Sequence, residues 1–162
     1  MNCGGTNRMN FKEVSNRDFH ETVCWYALGQ VLADDLPDIA VRALENGHDS
    51  ESLRQLAGKQ GADTTQLQEL FSRTLEEIGI SMPSPEVAGL EVARRIAVRV
   101  LAGDIQPYAG ARLIWKEVYW RSSEPEKLRI FVGLASEYED DEKHRSNYER
   151  HIVQACKEFV GV

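Results

Sequence analysis

Between residues 84 and 121 the chain carries two apolar helical segments joined at Gly103-Asp104, and this stretch constrains the fold more than any other. Ser84 is suited to cap a helix, Pro85 to its first position, and Glu86 to the positive end of its dipole. Leu90, Ala93, Ile96, Ala97, Val100 and Leu101 then recur at helical period, with Glu91, Arg94, Arg95 and Arg99 on the other face. Gly89, Ala93 and Ala97 are small and four apart, which lets a partner helix come close. Gly103 is placed as a C-terminal cap. The second segment sets Tyr108, Ala111, Ile114, Trp115 and Val118 in a stripe, with Arg112, Lys116 and Glu117 opposite. So short a link joins antiparallel neighbours. Trp115, Tyr119 and Trp120 add a large aromatic area. The expectation is an antiparallel hairpin over 84–121 at the centre of the core.

The remaining segments read as helices too. The first is expected from Ser15 or Asn16 to about Ala33, with Phe19, Val23, Cys24, Ala27 and Val31 inward and Trp25, Leu28 and Leu32 widening the stripe. Asp34-Asp35-Leu36-Pro37 breaks it and starts another, to about Glu45. A short helix is expected from Glu51 to Lys59, and a longer one from Thr65 to Ile78 after a cap at Asp63 or Thr64. Beyond 121, Leu128, Phe131, Val132, Ala135 and Tyr138 form one stripe. Tyr148, Ile152, Ala155, Cys156 and Phe159 form the next, on a helix from about Asp141 to Val160. No segment alternates in the manner of a strand. The sequence predicts an all-α fold of seven or eight helices, with residues 1–14 a disordered tail and 15–162 a single domain. Met9 is an alternative natural start.

Charge narrows the partners. The net charge is -7, which disfavours nucleic acid and anionic membranes. No apolar run approaches the ~18 residues that cross a bilayer, and the first ten residues lack the apolar centre of a signal peptide. The three cysteines, Cys3, Cys24 and Cys156, are too widely spaced for a zinc motif or a disulfide framework. Two of them lie on apolar faces, which points to reduced, buried thiols and a cytoplasmic protein.

Four constellations bear on chemistry. Ala57, Gly61, Leu67 and Leu70, within 56–71, have the spacing of a helix-turn-helix and would offer Thr64, Thr65, Gln68 and Glu69 to DNA. Residues 49–79, however, hold three basic side chains against six acidic ones, the wrong sign for a phosphate-facing unit. Asp141 and His144, after the acidic run Glu137, Glu139 and Asp140, have the residue types of a divalent-metal site. Tyr148 stands where a second acid would precede His151, and carboxylates at a helix start are already favoured by its dipole. His20 and Cys24 are four apart, but Cys24 sits on the apolar stripe, where a thiol is inert. Residues 84–121 carry a net +2 from Arg94, Arg95, Arg99, Arg112, Lys116 and Arg121, so the rest of the chain is -9. That face suits an anionic or protein partner, or internal pairs such as Glu91 with Arg95 and Glu117 with Arg121. No phosphate loop, nucleophile elbow or His-Glu-x-x-His motif is present.

Around Gly47-His48-Asp49-Ser50 with Leu53-Arg54-Gln55-Leu56-Ala57-Gly58, and again from Ala102 to Trp115, the chain resembles a family of small, uncharacterised bacterial helical proteins. The resemblance covers most of 25–159. It implies a helical fold and a bacterial source, and it carries no activity to transfer to any residue.

These features predict no catalytic residue, metal or cofactor, and a protein that binds another protein, in the manner of an inhibitor or immunity protein. The candidate partner-binding residues are Trp25, Arg94, Arg95, Arg99, Arg112 and Trp120. The alternatives are a small-molecule or metal-dependent enzyme built from dispersed histidines and carboxylates, and DNA binding through 56–71.

Overall fold

Every described segment with regular structure is helical, and a side-chain cap starts four of the eight α-helices. The computed structural model describes residues 18–162, so the expected tail at 1–14 lies outside them. Eight α-helices and no strand occur among the described residues, and the protein is all-α. The chain falls into two compact units, the first ending at Met82 and the second spanning Pro83–Val162, where the sequence was read as one domain over 15–162.

In the first unit, α1 (Phe19–Ala27) starts on Asp18, whose carboxylate accepts from the Glu21 amide at 2.7 Å. It ends six residues before the expected Ala33. Gly29 takes φ 73°, and the Gln30 amide reaches back to the Trp25 carbonyl at 3.0 Å, closing the helix where an L side chain would be strained. α2 (Leu36–Glu45) carries Pro37 in its first turn. α3 (Glu51–Ala57) is capped by the Ser50 hydroxyl, which accepts from the Leu53 amide. α4 (Thr64–Ile78) is capped by Asp63, which accepts from the Gln66 amide. α3 packs on both α2 and α4. Phe19, Val23, Leu36, Ile39, Leu53, Leu56, Leu67, Leu70, Phe71 and Leu75 are buried together. Phe71 is the aromatic centre, with Tyr26 at 4.7 Å and Phe19 edge-on at 6.3 Å between ring centroids. The two ends of the helix pair are tied by Glu77, whose carboxylate accepts from the Ser52 amide at 3.0 Å and the Ser52 hydroxyl at 2.8 Å.

In the second unit, α5 (Pro85–Leu101) begins as expected on Ser84, which accepts from the Val87 amide. Its buried face is Ala88, Gly89, Val92, Ala93, Ile96, Ala97 and Val100, turned from the expected one so that Leu90 and Leu101 lie at its edges. α5 packs most extensively on α8 (Arg145–Val160), which in turn packs on α7 (Arg129–Asp140) and α6 (Pro107–Leu113). α5 also packs on the second arm of the expected hairpin, through α6 and the turns that follow it. That arm is not one helix: α6 gives way to a π-helical turn at Ile114–Val118 and a 3-10 turn at Tyr119–Arg121. Two close approaches still join the arms. A Cβ on Gly89 would stand 2.1 Å from Ser122 Cβ, and one on Gly110 would stand 2.4 Å from Val100 Cγ2.

Candidate functional site

The second arm passes through a π-helical turn at Ile114–Val118. A π turn holds more residues per turn than an α-helix, so the side chains after it are set back around the axis. Ala111, Ile114, Val118 and Tyr119 are buried, while Trp115 is half-buried and Trp120 is 57% exposed. The sequence reading put the hairpin that carries them at the centre of the core and named Trp120 as a candidate partner-binding residue. Trp115 carries the Lys116 ammonium over its ring, 3.3 Å from the centroid. Trp120 rests edge-on against Tyr119 at 4.9 Å and is otherwise turned to solvent. The segment beyond it is strained: Ser123 and Glu124 both take positive φ, at 61° and 52°, and neither is glycine. Ser122, fully buried, donates to the carbonyls of Val118 at 2.8 Å and Tyr119 at 3.1 Å and so anchors this turn.

Of the other residues expected to meet a partner, Trp25 is a correction. Only 2% of it is exposed, and its indole nitrogen donates to buried Glu21, so it has no surface to offer. The arginines are largely engaged within the chain. Arg95 pairs with Glu91 at 3.1 Å, the helical i,i+4 pairing that the sequence suggested. Arg94, exposed, donates to the Val160 carbonyl at the end of α8, where a cation meets the negative end of a helix dipole. Arg112 stands 3.8 Å from Glu139 and is half exposed. Arg99 is half-buried.

A polar cluster lies where α6, α7 and α8 meet. Asp141 does not begin the last helix, as the sequence reading had it. With φ -126° and ψ 82°, it breaks the chain between α7 and a 3-10 turn at Glu142–His144. His144 Nδ1 lies 2.8 Å from Asp141 Oδ2, and the Tyr148 hydroxyl donates to the same oxygen at 3.1 Å. The His144 contact, more than any other, holds the Asp141 carboxyl below its ordinary range. Burial, then the bond to Asp141, pushes Tyr148 up. Next to it, Tyr138 stacks on Tyr108 at 4.1 Å with the rings 11° apart, and the Arg145 guanidinium lies 4.9 Å from the Tyr138 ring. Arg145 Nε donates to the Tyr138 carbonyl, and the Tyr108 hydroxyl to Glu139 at 2.6 Å. Burial and that carboxylate raise the Tyr108 pKa. The sequence reading picked out Asp141 and His144 but not the stacked tyrosines or Arg145. Their helical spacing, 138, 141, 145 and 148, was the available signal.

The helix pair at 56–71 exists as α3, a turn with Gly61 at φ 76°, and α4. Thr64, Thr65, Gln68 and Glu69 all face solvent, among more acids than bases. Past its end, Leu75, Glu76, Gly79, Ile80 and Met82 line an open groove of about 580 Å³. Cys24 is 1% exposed and His20 is exposed, so the two do not form a reactive pair at the surface. Cys156 is also buried, and burial pushes its thiol up to about 11. Among the described residues no group of three histidines, cysteines or carboxylates is close enough to hold a metal ion. No helix among them is long and apolar enough to cross a membrane. No protein-family model, no curated protein and no solved structure matches this chain.

Proposed function

We propose that the chain is a cytoplasmic, bacterial protein that acts by binding another protein, with Trp120 as the anchor of the contact. One observation carries this reading. A tryptophan that is 57% exposed, braced on one side by Tyr119 and set on a turn fixed by buried Ser122, is an indole held ready for a partner's pocket. Tryptophan is among the residues that dominate binding energy at interfaces, because it brings a large rigid area at little entropic cost. The strained backbone at Ser123 and Glu124 supports the same reading, since strain concentrates where function requires it. Arg94 and Arg112 are exposed enough to serve at the rim of an interface. Arg95, tied to Glu91, contributes less, and Trp25 leaves the set. An inhibitor or immunity-type role belongs to this reading as its most specific form.

The test is a pull-down from the source bacterium with wild-type bait and Trp120→Ala bait, both shown to be folded. A stoichiometric partner retained by the first and lost by the second supports binding through this face. A partner held equally by both baits removes Trp120 from the interface, and no partner from either counts against a binding protein.

A further inference from the structure

We propose that His144 is a nucleophilic imidazole, oriented by Asp141, whose Nε2 accepts acyl groups from small uncharged activated acyl compounds. The two residues lie in the turn between α7 and α8, with Nδ1 2.8 Å from Asp141 Oδ2. A carboxylate only accepts hydrogen bonds, so the ring proton sits on Nδ1 and the lone pair on Nε2. The side chain is 59% exposed, which leaves that nitrogen accessible.

A histidine three residues from an aspartate is common at helix starts, and most such pairs are loose. This one is held from several sides. Tyr148, in the first turn of α8, donates to the same oxygen of Asp141 and fixes the carboxylate. Arg145 donates to the Tyr138 carbonyl and covers the Tyr138 ring, and that ring stacks on Tyr108 of α6. The nucleophile or base, its orienting carboxylate and a group that positions the carboxylate are the ordered set that activated imidazoles require. Exposed Glu137, Glu139, Asp140 and Glu142 flank the turn in sequence and repel anionic reagents, which is why the acyl compound is uncharged.

In the step itself, Nε2 adds to the carbonyl carbon. The bond from that carbon to the leaving oxygen breaks, and the electron pair departs with the oxygen. The acylated ring is cationic and stabilised by Asp141, and it loses its Nδ1 proton to water. Hydrolysis of the acyl-imidazole by a second water then releases a carboxylic acid and restores the histidine.

The probe is diethyl pyrocarbonate on the full chain near neutral pH, with the acylation rate of each histidine read by peptide mass spectrometry. His20 and His151, both exposed, are internal standards within the same molecule. His144 is expected to react on the order of tenfold faster than either. Asp141→Asn is expected to bring it to their rate, and Tyr148→Phe to an intermediate one. A helical circular-dichroism spectrum unchanged from the wild type shows that each variant has kept its fold. The proposal is overturned if His144 is no faster than the two standards in the wild-type chain, a comparison that needs no variant to fold. It is equally overturned if a folded Asp141→Asn chain keeps the wild-type rate.

Discussion

Replacing Gly89 with alanine pits two known quantities against each other. In a helix interior alanine is better than glycine by about 1 kcal/mol, so propensity alone would make the variant more stable. The added Cβ, however, would stand 2.1 Å from Ser122 Cβ and 2.5 Å from Ser122 Oγ. Ser122 cannot swing aside cheaply, because it is buried and its hydroxyl is bonded to the carbonyls of Val118 and Tyr119. Restoring ordinary contact requires α5 and the turn to separate by more than about 1 Å, at the upper end of the 1–3 kcal/mol that overpacking costs. The net expectation for Gly89→Ala is a loss of roughly 1–2 kcal/mol. Gly133→Ala is the control: Gly133 lies inside α7 and a Cβ there meets nothing within 4 Å, so a gain of about 0.5–1 kcal/mol is expected. Urea unfolding followed by circular dichroism measures both against the wild type. Ser122→Gly in the Gly89→Ala background should recover part of the loss, as coupled neighbours do. If Gly89→Ala gains as much stability as Gly133→Ala, the close approach does not constrain α5 and the reasoning fails.

Phe71→Ala, which empties the aromatic centre of the first unit, is expected to cost about 3–5 kcal/mol, read in the same unfolding assay. Glu77 is held ionised chiefly by the side-chain bonds from Ser50 and Ser52 and by the Ser52 amide. Its folded pKa is lowered, so the stability it adds is full above the unfolded carboxyl value of about 4.3 and is lost as pH falls through the folded value. Glu77→Gln should flatten the acid limb of stability against pH there. The Cys156 thiol, pushed up to about 11, works in the opposite sense. Its contribution is full below the unfolded value of about 8.5 and is lost as pH rises towards 11. Iodoacetamide at pH 8 should leave Cys24 and Cys156 unlabelled until the chain is unfolded.

The helices were legible because their ends carry local chemistry. Ser84, Asp63 and Ser50 each accept the capping bond that their position in the sequence suggests. The errors arose where that chemistry was weak or where tertiary contacts decided. The first helix was read too long because Val31 and Leu32 continue the apolar period, although Gly29 had already ended it. The packing of α5 on α8 was not legible, because periodicity identifies a buried face without saying what covers it. Asp141 was read as a helix start because acids favour that place, and its non-helical backbone shows only in three dimensions. The Glu77 contact to Ser52 spans 25 residues, and no local pattern announces it.

Trp120, a candidate partner-binding residue in the sequence, is exposed, and its position bears directly on function. At the helical period Trp120 falls four residues after Lys116 and three after Glu117, so even an unbroken α-helix over 107–121 would set it on the polar face, opposite Ala111, Ile114 and Val118. The π turn at Ile114–Val118 brings Tyr119 toward the apolar stripe, where it is buried, while Trp120 stays exposed. The two aromatic residues should therefore respond oppositely to truncation. Tyr119→Ala removes a buried ring and is expected to cost about 3–5 kcal/mol. Trp120→Ala is expected to stay within about 0.5–1 kcal/mol of the wild type, the surface range plus its edge contact with Tyr119. Thermal unfolding of the two variants separates these cases. A Trp120→Ala loss as large as that of Tyr119→Ala would mean the indole is part of the packing, and the binding face would have to be sought elsewhere.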